Sequence, residues 1–172
     1  MKRRRLRALG ETIAQRREAL QSVDRQVKQL VQTLRRSGQL NETYIFFVSD
    51  NGFHTAQHRL TRGYIPLRQG GSRYFNGKSS AYEPSTGVPF VLRGPGVPKG
   101  RSSSELAGLI DLAPTIVGLV SVGDQAQLDG IDLLAQLETD QPSTRPLVLE
   151  SFQATARVED GENFRGIVTR DG

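Results

Sequence analysis

Leu6, Leu9, Ile13, Leu20, Val23, Val27, Leu30 and Leu34 recur at spacings of three, four or seven along an otherwise charged stretch, which puts them on one face of a helix. The pattern predicts a helix over residues 4–36, ended by Gly38. The same stripe has the spacing of a coiled-coil seam. The short connection that follows, and the apolar run behind it, point instead to a helix laid on a sheet, as in an α/β unit. That run, Tyr44-Ile45-Phe46-Phe47-Val48-Ser49, carries no charge. It predicts a strand over residues 44–49 of the kind buried on both faces of a parallel sheet. A second apolar run predicts a strand over 88–92, closed by Gly94-Pro95-Gly96.

Between these strands, residues 53–87 are rich in Gly, Arg, Ser and Tyr and show neither a helical nor a strand period. They read as one long loop, and a long loop in a compact domain is the usual place for the wall of a site. Further on, Leu106 to Ile110 reads as a short strand. Asp111 is placed as the N-cap of a helix running to Val120, with Pro114 in its first turn. Residues 123–140 read as loop with a turn at Asp129-Gly130, and residues 146–152 and 164–169 as two more strands.

The length, 172 residues, is that of one ordinary domain. The net charge of +5 comes mostly from the first helix, where Lys2, Arg3, Arg4, Arg5, Arg7, Arg16, Arg17, Arg25, Lys28, Arg35 and Arg36 cluster. No aromatic residue is interleaved with them for base stacking, so a solvated helix face is favoured over a nucleic-acid footprint. With no cysteine, disulfides and thiolate metal sites are excluded and the redox compartment is undetermined. The start lacks the apolar core of a signal peptide, and no run is long enough to span a bilayer. The localisation is left open.

Candidate chemistry begins where the first strand ends. Asp50 and Asn51 follow it directly, and ligands in α/β sheets project from the carboxyl ends of strands. Both side chains offer oxygen, which suits a hard cation such as Ca2+ or Mg2+. Asn51-Gly52 is also a turn dipeptide, and taken alone a plain turn is the favoured reading of it. His54 and His58, the only two histidines, have an i, i+4 spacing that can share a helical face. The zinc-binding pattern with that spacing has glutamate after the first histidine, where this chain has Thr55, so zinc is disfavoured. Hydrogen bonds to a substrate or to the loop remain, beside ordinary loop histidines.

Taken in order, Ser49-Asp50-Asn51-Gly52-Phe53-His54-Thr55-Ala56-Gln57-His58, Gly77-Lys78-Ser79-Ser80-Ala81-Tyr82-Glu83, Val88-Pro89-Phe90-Val91-Leu92-Arg93-Gly94-Pro95-Gly96, Ile110-Asp111-Leu112-Ala113-Pro114-Thr115 and Leu128-Asp129-Gly130 resemble the C-terminal half of the catalytic domain of type I, formylglycine-dependent, arylsulfatase-like sulfatases. The resemblance covers nearly the whole chain. It implies an α/β, alkaline-phosphatase-like sandwich of helices on a largely parallel sheet, here incomplete because the N-terminal half of the enzyme is missing. Residues 1–152 would be the C-terminal part of the catalytic domain, and 153–172 the truncated start of a smaller C-terminal sheet.

The resemblance further implies hydrolysis of a sulfate ester of a sugar or an aryl alcohol. Asp50 and Asn51 would be ligands of Ca2+, with Mg2+ the lesser candidate. Lys78 would contact the sulfate, with His54 and His58 as further substrate contacts. An ammonium about 4 Å from a sulfate oxygen is worth about 4 kcal/mol at an effective dielectric near 20, before desolvation; without the resemblance Lys78 is an ordinary surface lysine. The nucleophile of this family comes from a Cys/Ser-x-Pro-x-Arg motif, which this sequence lacks. Formylglycine is therefore not available here, and the chain alone is expected to be inactive. Gly87 stands where the family commonly has arginine, and an insertion over 61–76 lengthens the route to Lys78. The alternatives are a phosphoesterase or phosphonate hydrolase of the same superfamily, and a non-enzymatic helical interaction or nucleic-acid-binding module built on the basic helix.

Overall fold

The charged, periodically apolar start of the chain forms helix α1, Lys2–Arg36, in a computed structural model that describes residues 2–55, 57–59, 63–66, 72–75, 77–78, 80–120, 128–139, 143–151 and 164–170. The helix stops where expected. Gly38 takes a left-handed φ of 76°, its N–H donates to Arg35 O at 3.2 Å, and Gln39 N–H donates to Leu34 O at 2.9 Å, so orphan carbonyls of the last turn are capped. Arg35 and Arg36 lie in that turn, where cations complement the helix dipole.

The chain divides into two compact units, Met1–Val97 and Pro98–Gly172. In the first, strand β1 (Ile45–Val48) pairs with β4 (Phe90–Arg93). The register runs from Ile45 opposite Arg93 to Val48 opposite Phe90, and it is antiparallel. The parallel pairing read from the apolar runs does not hold for these two strands. An uninterrupted apolar run signals burial and says nothing of strand direction, and the cross-strand partners Phe47 and Val91 are in fact exposed. Arg93 ties the ladder to its approach, donating from Nη1 to Leu40 O at 2.6 Å in the 3₁₀ turn Leu40–Glu42. Beside it, a Cβ at Gly94 would run into the Tyr44 ring.

Much of the stripe of α1 is open: Leu20 is 60% exposed, and Ile13, Val23, Val27 and Leu30 are also exposed. A helix of 35 residues is about 52 Å long, whereas two four-residue strands span about 13 Å. Such a ladder cannot cover it. The stretch 53–87, read as structureless, contains a 3₁₀ turn Gln57–Arg59, the antiparallel pair β2 (Gly63–Pro66) and β3 (Ser72–Phe75), and a single helical turn α2, Glu83–Thr86. Elements this short do not build a period. Much of the expected insertion over 61–76 lies outside the described residues.

In the second unit, the expected strand over 106–110 is absent. A 3₁₀ turn, Leu109–Asp111, leads into helix α3, Leu112–Val120, with Pro114 buried in its first turn. Asp111 is not the N-cap of α3. Its carboxylate is 0% exposed and accepts from Gly108 N at 2.8 Å, from Ile131 N at 2.9 Å, and from Arg145 Nη2 at 2.7 and 2.9 Å. Burial with a guanidinium partner, together with the bond from the Gly108 amide that opens the 3₁₀ turn, fixes its orientation. Thr115 extends the network, donating to Asp111 O and accepting from Leu133 N. Helix α4, Leu133–Glu138, occupies part of the expected loop, capped by Asp132, whose side chain accepts from Leu134 N and Ala135 N. Strands β5 (Leu147–Ser151) and β6 (Phe164–Val168) pair antiparallel, so the strand expected to open a smaller sheet is joined to its predecessor. The proposed boundary at 152/153 falls outside the described residues.

Candidate functional site

Strand β1 carries no charge until it ends, and the turn beyond it is held by its own polar side chains. Ser49 Oγ donates to Asn51 O at 2.9 Å, and Asn51 Nδ2 donates to Gly52 O at 2.7 Å. With its NH2 group engaged in the turn, Asn51 presents Oδ1, which accepts from Lys78 Nζ at 3.0 Å across 27 residues of sequence. Asp50 is exposed and makes no hydrogen bond or ion pair with another described residue.

Lys78 reaches Asn51 because three segments are clasped together. Gly52 N–H donates to Ser85 O at 2.8 Å, and His54 N–H donates to Gly77 O at 2.8 Å. His54 is 1% exposed; its Nε2 lies 2.7 Å from Ser80 Oγ, which lies 3.0 Å from Ser85 Oγ. Ser80 N–H closes a tight turn onto Lys78 O at 2.6 Å. Two glycines allow this approach: a Cβ at Gly52 would run into the Pro84 carbonyl oxygen, and one at Gly77, whose φ is 91°, would meet the Phe53 ring. That ring has the Arg16 guanidinium 5.5 Å from its centroid, a cation–π distance.

The two histidines do not share a helical face. His58 has φ 52° and ψ 22° inside its 3₁₀ turn, and its exposed ring stacks on Tyr82 with centroids 4.1 Å apart and planes 15° apart. The buried His54 ring stands edge-on to both, at 6.2 Å from each. Of the residues singled out from sequence, the fold brings Asn51 and Lys78 together, sets Asp50 beside them in the chain, and buries His54 behind the loops. His58 goes to a surface ring stack. Ser80, Tyr82 and Ser85 were not singled out, although the first two lie in the same sequence block as Lys78; nothing local marks a hydroxyl that will bond a histidine 26 residues away.

Asp50 and Asn51 fit a hard cation in kind, offering one carboxylate and one amide oxygen. They are fewer than the about six to eight oxygens that Ca2+ takes, and no group of three or more His, Cys, Asp or Glu suited to a metal occurs among the described residues. None of the described helices is long and apolar enough to cross a membrane.

The chain as a whole is similar to known proteins. A family model described as Sulfatase matches residues 3–122. An N-acetylglucosamine-6-sulfatase from Capra hircus is 37% identical over 151 residues, covering 87% of this chain and 24% of that protein. An arylsulfatase from Volvox carteri is 35% identical over 132 residues, covering 73% of this chain and 18% of its own length. The chain thus spans about a quarter or less of these curated relatives. A solved structure, BT4656 in complex with its substrate D-glucosamine-2-N,6-O-disulfate, superposes with a TM-score of 0.68 at 23% identity, over 88% of this chain and 28% of that one. It supports the alkaline-phosphatase-like α/β fold.

Proposed function

The chain belongs to the sulfatase family, and from that premise we propose that Asp50, Asn51 and Lys78 form part of a site for hydrolysis of a sulfuric ester, with a sulfated sugar as the favoured substrate class and an aryl sulfate as the other. The observation that carries this reading is the 3.0 Å contact between Lys78 Nζ and Asn51 Oδ1. It brings a cation and a hard oxygen ligand, distant in sequence, to one point at the end of an apolar strand. The similarity to an N-acetylglucosamine-6-sulfatase supports the sugar class.

In this reading Asp50 and Asn51 would hold a divalent cation, Ca2+ in preference to Mg2+, because mixed carboxylate and amide oxygen donors suit the less demanding ion. When bound, the cation supplies positive charge to sulfate oxygens. Lys78, already held on Asn51 Oδ1, would add a second positive charge oriented before the substrate arrives, so little reorganisation is needed when negative charge shifts. The neutral amide of Asn51 keeps the site's own negative charge low for an anionic substrate. His54 is 1% exposed, and its part is to hold the Gly77 carbonyl, through its backbone N–H, and the Ser80 hydroxyl, through its ring, so that Lys78 stays in place.

The 172 residues contain no Cys/Ser-x-Pro-x-Arg motif, so turnover of a sulfate ester by this chain alone is not expected, and binding is the appropriate readout. Titrating inorganic sulfate into the chain tests the reading. Lys78→Ala should weaken binding by about tenfold or more, the size of one lost charge contact. Equal affinity in the two proteins would remove Lys78 from the site.

A further inference from the structure

The sulfate reading leaves one exposed feature unused. Tyr82 is 50% exposed, and the exposed His58 ring, carried on an unusual backbone, lies nearly parallel to it with centroids 4.1 Å apart. His58 is the one non-glycine residue with positive φ among those described, a conformation that costs about 1–2 kcal/mol in a residue with a Cβ and that gathers at functional sites. Tyr82 is equally well fixed. It immediately precedes α2 in extended conformation, and its carbonyl accepts from Ser85 N at 2.8 Å and Thr86 Oγ1 at 3.4 Å. The buried His54 ring is edge-on to both and bonds Ser80, whose own N–H bonds Lys78 O. The stack and Lys78 are therefore parts of one braced loop. They are four residues apart, at most about 14 Å along an extended backbone.

We propose that Tyr82 and His58 form a saccharide platform adjoining Lys78, which takes the C–H face of a pyranose whose sulfate lies on the lysine. The proposal rests on the reading of Lys78 as the sulfate contact and adds the part of the substrate that is not sulfate. Aromatic faces carry negative potential, so they attract the weakly positive C–H face of a sugar ring. The phenol oxygen and the imidazole nitrogens at the rim can exchange hydrogen bonds with ring hydroxyls. A cationic ligand would also suit a ring face, but Lys78 close by in the same loop disfavours one. Rigid aromatic surface recognises a ligand at small entropic cost, because few torsions must be frozen.

Ligand-observed NMR titrations of the whole 172-residue chain test this, with three probes: neutral N-acetylglucosamine, inorganic sulfate and glucosamine 6-sulfate. Tyr82→Ala should weaken the neutral sugar by about fivefold, the size of one stacking contact, and leave inorganic sulfate unchanged. Tyr82→Phe should retain the sugar. Lys78→Ala should do the reverse of Tyr82→Ala, and glucosamine 6-sulfate should lose affinity in both. Circular dichroism checks folding; if Tyr82→Ala unfolds, His58→Gly, which relieves the left-handed strain, removes half of the stack and should also weaken the neutral sugar. The platform is overturned if the folded Tyr82 or His58 variant binds both saccharides as tightly as wild type does. It is equally overturned if wild type binds no saccharide, or binds p-nitrophenol at Tyr82 in place of sugar. Sulfate binding that ignores Lys78 would sink the sulfate reading instead, while the neutral sugar still decides the platform.

Discussion

Two aspartates, each following an apolar run, end in opposite situations. Asp111 is fully buried, and its two oxygens take two backbone amides and the Arg145 guanidinium. Asp50 is exposed and makes no hydrogen bond or ion pair with another described residue. A buried carboxylate with every contact met is committed to holding segments together, and its value lies in what would be stranded without it. An exposed carboxylate at the end of a strand contributes little to folding and is available to a ligand. The chemistry of the side chain is identical; the difference lies in what surrounds it.

That contrast is easiest to break at Asp111. Asp111→Ala leaves a half-buried guanidinium and two backbone amides without their acceptor, and should destabilise the second unit by about 3–5 kcal/mol. Urea unfolding followed by circular dichroism measures it, and a loss below 1 kcal/mol would show that the network is not structural. Gly52→Ala should come next. Its new methyl meets the Pro84 carbonyl, so the loops must part, at about 1–3 kcal/mol, with loss of the Lys78 contact visible as weaker sulfate binding. His54→Ala removes the bond to Ser80 and leaves a cavity, for about 1–3 kcal/mol. Sulfate affinity should fall with it even though His54 never touches the anion. Asp50→Ala should change stability by less than about 0.5 kcal/mol, and a larger loss would mean that the carboxylate has a structural duty like that of Asp111.

Much of this was legible in the chain, for identifiable reasons. Helix α1, β1 and β4 follow from sustained apolar patterns, whereas Lys78 was singled out only through the resemblance of its block to the sulfatases, and its 3.0 Å contact with Asn51 is a tertiary one. The antiparallel sense of β1 and β4 was not legible, because burial patterns carry no direction. Helix α4 escaped notice although Asp132 is a proper N-cap, since six residues are too few to show a period. Asp111 was read locally as a cap because Arg145, which fixes it, lies 34 residues away. The His54, Ser80 and Ser85 bonds were hidden likewise, since a tertiary hydrogen bond leaves no mark in local sequence.

In the proposed site Asp50, Asn51 and Lys78 act together, so that a cation and an anion bind side by side. If so, each ligand must strengthen the other through a shared coupling free energy. The direct measurement is the affinity of the chain for inorganic sulfate with and without saturating Ca2+, in wild type and in Asp50→Ala. Sulfate should bind wild type severalfold tighter when Ca2+ is present, a gain on the order of 1 kcal/mol, with no such gain in Asp50→Ala. Sulfate affinity that is indifferent to Ca2+ in wild type, or a gain that survives the loss of Asp50, would contradict the shared site.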